Sequence, residues 1–263
     1  MENITGTQSD DTLLGTALAD FIRGLDGSDT ITGGAGNDQL FGGNNEDILF
    51  GGDGDDRIFG EDGDDIMFGG NGNDIISDLH GNNEAYGGAG NDTITLGDGE
   101  DTVDGGIGND TINLGKGDDI ALGGSGNDRI IGGEGNESID GGAGVDFLQG
   151  DDGDDILLGG GGADQLFGGF GNDTINGGGG NDRMTGGIGG DEFVFTAGAD
   201  RVFDFQIGDD KVDLSQMAVA TDFATVIANA AQVGANTVLN LATGTLTLNA
   251  VQLVNLTDSD FLF

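Results

Sequence analysis

Apolar residues recur at every ninth position from Leu13 to Phe193, through Ile22, Ile31, Leu40 and on to Met184, large except at Ala85 and Ala121, with no slip in phase. Each sits in a short polar or β-branched triplet and follows a stretch rich in glycine and acid. Well-formed copies are Gly33-Gly34-Ala35-Gly36-Asn37-Asp38-Gln39-Leu40-Phe41 and Gly168-Gly169-Phe170-Gly171-Asn172-Asp173-Thr174-Ile175-Asn176. The consensus is G-G-x-G-x-D-x-U-x, with U apolar, and 21 copies run from Gly6 to Val194. One such unit cannot bury its own apolar residue, whereas stacked units share a continuous core. Positions 7 to 9 predict a short strand, with position 8 on one face and positions 7 and 9 on the other. Positions 1 to 6 predict a glycine-rich turn. Two successive nonapeptides then make one coil, in the order strand, loop, strand, loop. Stacked coils form two parallel sheets whose position-8 side chains meet, with loops stacked along both edges. The predicted class is all-β, a parallel β-roll over residues 1–194.

After the repeats the pattern changes. Val202, Phe203 and Phe205, then Val212 and Leu214, alternate around the turn Ile207-Gly208-Asp209-Asp210 and predict strands. Thr221 can N-cap a short helix with Phe223, Val226, Ile227 and Ala230 on one face and Gly234 at its end. Thr237–Leu241 and Thr245–Leu248, joined through Thr243-Gly244, predict a hairpin. Residues 195–263 are therefore expected to be a small β-rich cap with one short helix, covering the last coil and its open edge.

Composition turns this pattern into a problem of charge. Acidic residues number 49 and basic residues 7, a net charge of −42, and 58 of the 263 residues are glycine. Such a chain repels itself and loses much backbone freedom on folding, so it needs an external neutralising agent. Glycine lets carbonyl oxygens converge, and aspartate adds a hard anionic oxygen. Carbonyl and carboxylate oxygens are what Ca²⁺ prefers, whereas Mg²⁺ demands tight octahedral geometry. One cation between each pair of stacked loops gives at most about 19 sites, bringing about +38 against −42.

The same numbers exclude much. Nucleic acid and anionic lipid are improbable partners for so acidic a chain. With no cysteine there is no disulfide or thiolate site, and a single histidine, His80, excludes any two-imidazole centre. No apolar run approaches the length of a membrane span. The start, Met1-Glu2-Asn3-Ile4, lacks the basic and apolar regions of a cleavable signal peptide.

Residues 6–194 resemble the RTX (repeats-in-toxin) family of haemolysin-type calcium-binding repeats, whose fold is a right-handed parallel β-roll. The resemblance implies cations between stacked turns, held by loop carbonyls and by position-6 carboxylates. These map onto Asp11, Asp20, Asp29, Asp38, Asp47, Asp56, Asp65, Asp74, Asp92, Asp101, Asp110, Asp119, Asp128, Asp146, Asp155, Asp164, Asp173, Asp182 and Asp191. The position-4 glycines of the turns include Gly36, Gly54, Gly72, Gly90, Gly108, Gly126, Gly144, Gly162, Gly171 and Gly180. Departures at Asn83 and Glu137 predict weakened or empty sites on one edge, and Ser9 and Leu18 mark the first two copies as an imperfect cap. The segment Phe193–Ser215 is similar to the strand pair that follows the repeats in serralysin-type exoproteins. The ending Asp258-Ser259-Asp260-Phe261-Leu262-Phe263 resembles the uncleaved signal of type I secretion substrates.

No catalytic constellation is apparent. H-E-x-x-H and G-x-S-x-G are missing, and paired acids such as Asp55-Asp56 and Asp118-Asp119 belong to positions 5 and 6 of the loops. His80 reads as a bystander, and the repeats leave no room upstream for the catalytic domain that many family members carry. Phe50, Phe68 and Tyr86, and separately Phe41 and Phe59, recur in every second copy and predict outward stacked ladders, read first as cross-strand stacking that stabilises the sheets and alternatively as a binding face. Position 3 varies too much to form the flat threonine array of an ice-binding face. The expectation is a secreted calcium-binding protein, exported by type I secretion machinery, that folds outside the cell and meets cell-surface or matrix components. The rival expectation is a calcium-responsive C-terminal secretion and folding module of a larger enzyme or adhesin.

Overall fold

The structure is a computed structural model that describes residues 2–217 and 222–263. Thr221, expected to cap the helix, lies outside the described residues. Two compact units, Met1–Glu134 and Gly135–Phe263, divide the chain.

Each unit is a parallel β-solenoid with about 18 residues per coil, two nonapeptides as expected. In the first, Phe21–Asp26, Gln39–Asn44, Arg57–Asp62 and Ile75–Ser77 follow one another in one sheet, and Thr30–Ala35, Ile48–Asp53, Ile66–Asn71 and Glu84–Ala89 in the other. Every pair is parallel and shifted by one coil, for example Leu40 against Ile58 and Leu49 against Met67. Register is therefore set by the repeat length. A slip of one residue would turn the apolar position outward. Position 8 is buried from Ile22 to Phe193, and Leu13 in the first coil is half-buried.

The strands are longer than the sequence pattern suggests. Many run from position 7 through position 3 of the next copy, as in Gln39–Asn44, and leave only positions 4 to 6 for the turn, whereas Ile75–Ser77, Thr93–Thr95 and Ser138–Asp140 keep the expected three residues. Alternation explains the consequence. Position 8 faces in, position 9 out and position 1 in again, so the first residue of a copy, usually glycine, lies in the interior. The predicted aromatic ladders are present. Phe50 and Phe68 stack at 4.9 Å, Phe68 and Tyr86 at 4.8 Å, and Phe41 and Phe59 at 4.9 Å.

In the second unit the solenoid passes into the C-terminal segment, keeping the 18-residue step on one sheet and lengthening it to 19 on the other. Ala197–Val202 pairs in parallel with the strand before it, Arg183 against Arg201, and then with Gly244–Leu248 of the expected hairpin. Lys211–Asp213 pairs with Glu192–Val194, and Phe261–Leu262 pairs with Lys211–Asp213. The segments before and after Ile207–Asp210 thus belong to opposite sheets and are not partners of each other. The reason is that the chain is still coiling there, and coiling sends successive strands to alternate sheets.

The helix is shorter than its apolar spacing implies. It spans Phe223–Ala228, and the Asp222 carboxylate accepts the Thr225 N–H at 2.7 Å as its N-cap. Val226 is its buried residue. Ala231–Val233, expected to continue toward Gly234, instead pairs antiparallel with Asn236–Leu241. The backbone of this segment is thereby paired in a sheet rather than in a further helical turn.

Candidate metal centre

The turns place one carboxylate per coil along each edge, and the residues making them follow one scheme. Position 4 takes a positive φ, 132° at Gly54 and 130° at Gly72, and a β-carbon at Gly72 would strike the carbonyl oxygen of Gly54. Only glycine permits both the φ and this stacking distance. All ten position-4 glycines singled out from the sequence, Gly36 to Gly180, have positive φ.

Two residues later the aspartate turns inward. Its Oδ1 accepts the backbone N–H of the position-6 residue one coil earlier. Asp38 donates to Asp56 at 2.7 Å, Asp56 to Asp74 at 2.8 Å and Asp74 to Asp92 at 2.7 Å. The other edge repeats this with Asp29 to Asp47 and Asp47 to Asp65, both at 2.7 Å. In the second unit Asp155 donates to Asp173 at 2.9 Å and Asp164 to Asp182 at 2.9 Å. These position-6 side chains are at most 2% exposed from Asp20 to Asp191.

The second carboxylate oxygen is the informative one. At Asp29, Asp38, Asp47, Asp56, Asp65, Asp74, Asp92, Asp101, Asp110, Asp119, Asp155, Asp164, Asp173, Asp182 and Asp191, Oδ2 is buried without a hydrogen-bond partner. A buried anionic oxygen left this way carries a desolvation cost of several kcal/mol. Burial pushes the carboxyls of Asp47, Asp56 and Asp173 up to about 7, and those of Asp74, Asp92, Asp110, Asp119 and Asp164 up to about 6, from 3.8. At neutral pH the rows need a counter-charge inside the protein.

The interior glycine shows where it fits. A β-carbon built on Gly69 would lie 2.5 Å from Asp74 Oδ2 and 2.5 Å from the carbonyl oxygen of Gly87. At Gly87 the corresponding distances, to Asp92 Oδ2 and the Gly105 carbonyl, are 2.6 Å and 2.6 Å. At Gly159 they are 2.8 Å to Asp164 Oδ2 and 2.7 Å to the Gly177 carbonyl. At these glycines position 1 is thus bordered by a carboxylate oxygen and a carbonyl oxygen too close for a carbon atom, and both are hard donors of the kind Ca²⁺ prefers. Among the described residues no three carboxylate or imidazole groups converge on one point. The donor set is one carboxylate with backbone carbonyls, repeated coil after coil.

Models of the RTX calcium-binding nonapeptide repeat match the chain repeatedly, from residues 5–40 and 41–76 through 81–112, 113–148 and 158–193 to 167–202. The chain belongs to the RTX calcium-binding repeat family. Comparison with curated proteins returns no match. Among solved structures, a subunit of the Azotobacter vinelandii mannuronan C5-epimerase is 31% identical, with 42% of this chain and 74% of that one covered and a TM-score of 0.35. An extracellular lipase of Serratia marcescens is 18% identical over 93% of this chain and 40% of its own, with a TM-score of 0.35. A Ca²⁺-dependent β-helical antifreeze protein of an Antarctic bacterium is 21% identical, covering 80% of this chain and 84% of its own, with a TM-score of 0.29.

Not every RTX copy has the orphaned oxygen. Asp11 Oδ2 accepts from the Thr7 N–H at 2.6 Å and hydroxyl at 2.9 Å, and Asp20 Oδ2 from the Thr16 N–H at 2.8 Å and hydroxyl at 2.7 Å. Threonine at position 2, in place of glycine, supplies these donors. Asn83 keeps its place in the row, accepting the Asp65 N–H at 2.9 Å and donating to Asp101 at 2.7 Å, with its charge gone. The Glu137 N–H donates to Asp155 at 2.8 Å. His80 is exposed in the loop of that ninth copy, beside a surface depression of about 490 Å³ with Phe41, Phe59 and Leu79 in its lining.

Three carboxylates escaped the sequence reading. Asp200 accepts the Asp182 N–H at 3.0 Å and so takes the next place in one row, and burial pushes it up to about 7. Asp210 does the same for Asp191 at 3.0 Å. Asp260 is fully buried and accepts from Gly208 at 3.0 Å and from Thr257. Asp200 was legible, since Phe195–Phe203 preserves G-x-D-x-U-x in phase. Asp210 is displaced by a one-residue insertion, which a strict nine-residue period cannot detect.

Proposed function

We propose that this RTX β-roll protein is exported unfolded by type I secretion machinery and folds outside the cell as its carboxylate rows take up Ca²⁺. There it serves a structural or interaction role among cell-surface or matrix components. The observation that carries the reading is the row of buried Oδ2 atoms without partners. When bound, calcium supplies the positive charge that these rows lack. Asp29 to Asp191, with the position-1 and position-4 carbonyls of neighbouring turns, are the residues that would hold it.

The chain's own residues do the rest. In inner coils such as those of Asp56, Asp74, Asp92 and Asp173, the position-6 backbone N–H groups orient the carboxylate through Oδ1 and leave Oδ2 without a hydrogen-bond partner. The position-8 side chains close the core once the coils are drawn together. Where cation is scarce, 42 excess negative charges keep the coils apart. Folding free energy is then largely ligand-binding free energy. Residues 195–263 act as a cap, since Phe261–Leu262 extends a sheet, and the ending Asp258–Phe263 serves as the export signal.

Circular dichroism during a calcium titration, with calorimetric stoichiometry, tests the reading. The expected result is a β signal that appears with calcium and saturates at well over three ions. A β signal already present in chelator at neutral pH would overturn coupled folding. For export, a chain lacking Asp258–Phe263 should fail to reach the medium, and unchanged secretion would reject the terminal signal.

A further inference from the structure

Position 1 faces the interior beside the carboxylate of its own copy, and three consecutive odd copies replace its glycine with Asp78, Leu96 and Leu114. Leu96 and Leu114 are buried at 2% and 0% exposure and put apolar carbon there. Asp78 is also buried, at 2%. Its Oδ1 accepts the His80 N–H at 3.1 Å, and its Oδ2 has no hydrogen-bond partner. Asp65 Oδ2, in the coil before, has none either.

These two oxygens crowd the same point. A β-carbon on Gly60 would collide with both Asp78 Oδ2 and Asp65 Oδ2. In a regular coil that point is bordered by one carboxylate oxygen and one carbonyl oxygen, as at Gly69 with Asp74 and Gly87. At Gly60 a second carboxylate stands in the carbonyl's place. The same ninth copy carries Asn83 where the motif has aspartate. Asn83 Oδ1 is taken by the Asp65 N–H, and its Nδ2 donates to the Gly81 carbonyl at 3.1 Å. The copy therefore keeps one interior acid, moved from position 6 to position 1.

We propose that Asp78 is a cation ligand outside the nonapeptide motif, holding Ca²⁺ jointly with Asp65, so that the degenerate ninth copy is a rebuilt site rather than a gap. This rests on reading the orphaned carboxylates as calcium ligands. Two buried carboxylates on one point repel strongly, and a single divalent cation neutralises both while accepting hard oxygen donors. The competing arrangement is one proton shared between Asp65 and Asp78.

Crystals of the full chain grown in calcium decide between them. Anomalous density within about 2.3–2.6 Å of both Oδ2 atoms supports the site. Density beside Gly69 and Gly87 with none beside Gly60 overturns it, whereas no density in any coil overturns the calcium reading beneath it. In solution, hydrogen exchange at saturating calcium should show residues 60–83 losing at least tenfold in protection in Asp78→Asn. Adding Asn83→Asp, which returns a carboxylate to the motif position, should restore it. A shared proton predicts unchanged or greater protection in Asp78→Asn, and that result would overturn the proposal. Should Asp78→Asn fail to fold, the wild-type crystals still decide.

Discussion

Asp20 and Asp74 occupy the same place in the nonapeptide, in even copies of one unit, and their carboxylates are in opposite states. Asp20 has both oxygens engaged, by the Glu2 N–H at 2.7 Å and by Thr16, and these hydrogen bonds hold its carboxyl below the usual value. Asp74 has one oxygen engaged and one orphaned, and burial lifts it to about 6. One residue makes the difference, since position 2 is threonine in the first two copies and glycine at Gly70. The end coil satisfies its acid internally, whereas the inner coil leaves an oxygen for a ligand from outside. A repeat protein of this kind needs both, because terminal coils lack a neighbour on one side and cannot complete a shared site.

Removing calcium should separate the two regions most sharply. In chelator at pH 7 the inner coils are expected to lose essentially all β structure, read by circular dichroism and by exchange of residues 30–130. Retention of more than half of the signal would break the comparison.

Acid should partly replace the cation. A carboxyl raised from 3.8 to about 6 or 7 in the fold, as at Asp74 and Asp56, imposes no penalty below pH 4. The penalty grows as pH rises through the raised value. The metal-free chain should therefore gain β structure as pH falls from 7 toward 4.5. With calcium present, protons compete, and the calcium needed for folding should rise over the pH 7 to 6 window. Asp20 has the opposite sign, its contribution being lost only as pH falls below the ordinary range of a carboxyl. A metal-free chain whose circular dichroism is flat between pH 7 and 4.5 would count against the raised values.

Core truncations should follow the same division at lower magnitude. In calcium, Ile58→Ala removes a fully buried side chain and should cost about 2–5 kcal/mol in denaturant unfolding. Leu13→Ala, at a half-buried position, should cost about 1 kcal/mol. Equal costs would mean that the first coil is packed like the rest. The smallest effect is expected from Thr16→Gly, which gives the end coil the inner chemistry. It should shift the melting temperature by only a few degrees, and the size of the shift should depend on calcium.

Much of this was legible because a strict period carries a large amount of information. The phase of Leu13 to Phe193 dictates strands, sheets and core together, and Asp at position 6 dictates an acidic edge. The strand length was not legible, since glycine at positions 1 and 2 reads as turn until the neighbouring coil is in place. The helix end at Ala228 depended on pairing with a strand further along the chain, Asn236–Leu241, which no local signal announces. The role of Thr7 and Thr16 rests on their donors reaching the carboxylates across the turn, which no local pattern announces.

The amino-acid sequence by itself determined the coil length, the inward apolar column and the excess of negative charge, because these follow from residue type at fixed spacing. Only the tertiary structure decided which carboxylate oxygens are satisfied and which are left over. That depends on a carbonyl, an amide or a second acid brought in from the neighbouring coil. At Asp78 the same stacking turned an apparent defect of the repeat into an interior acid beside Asp65.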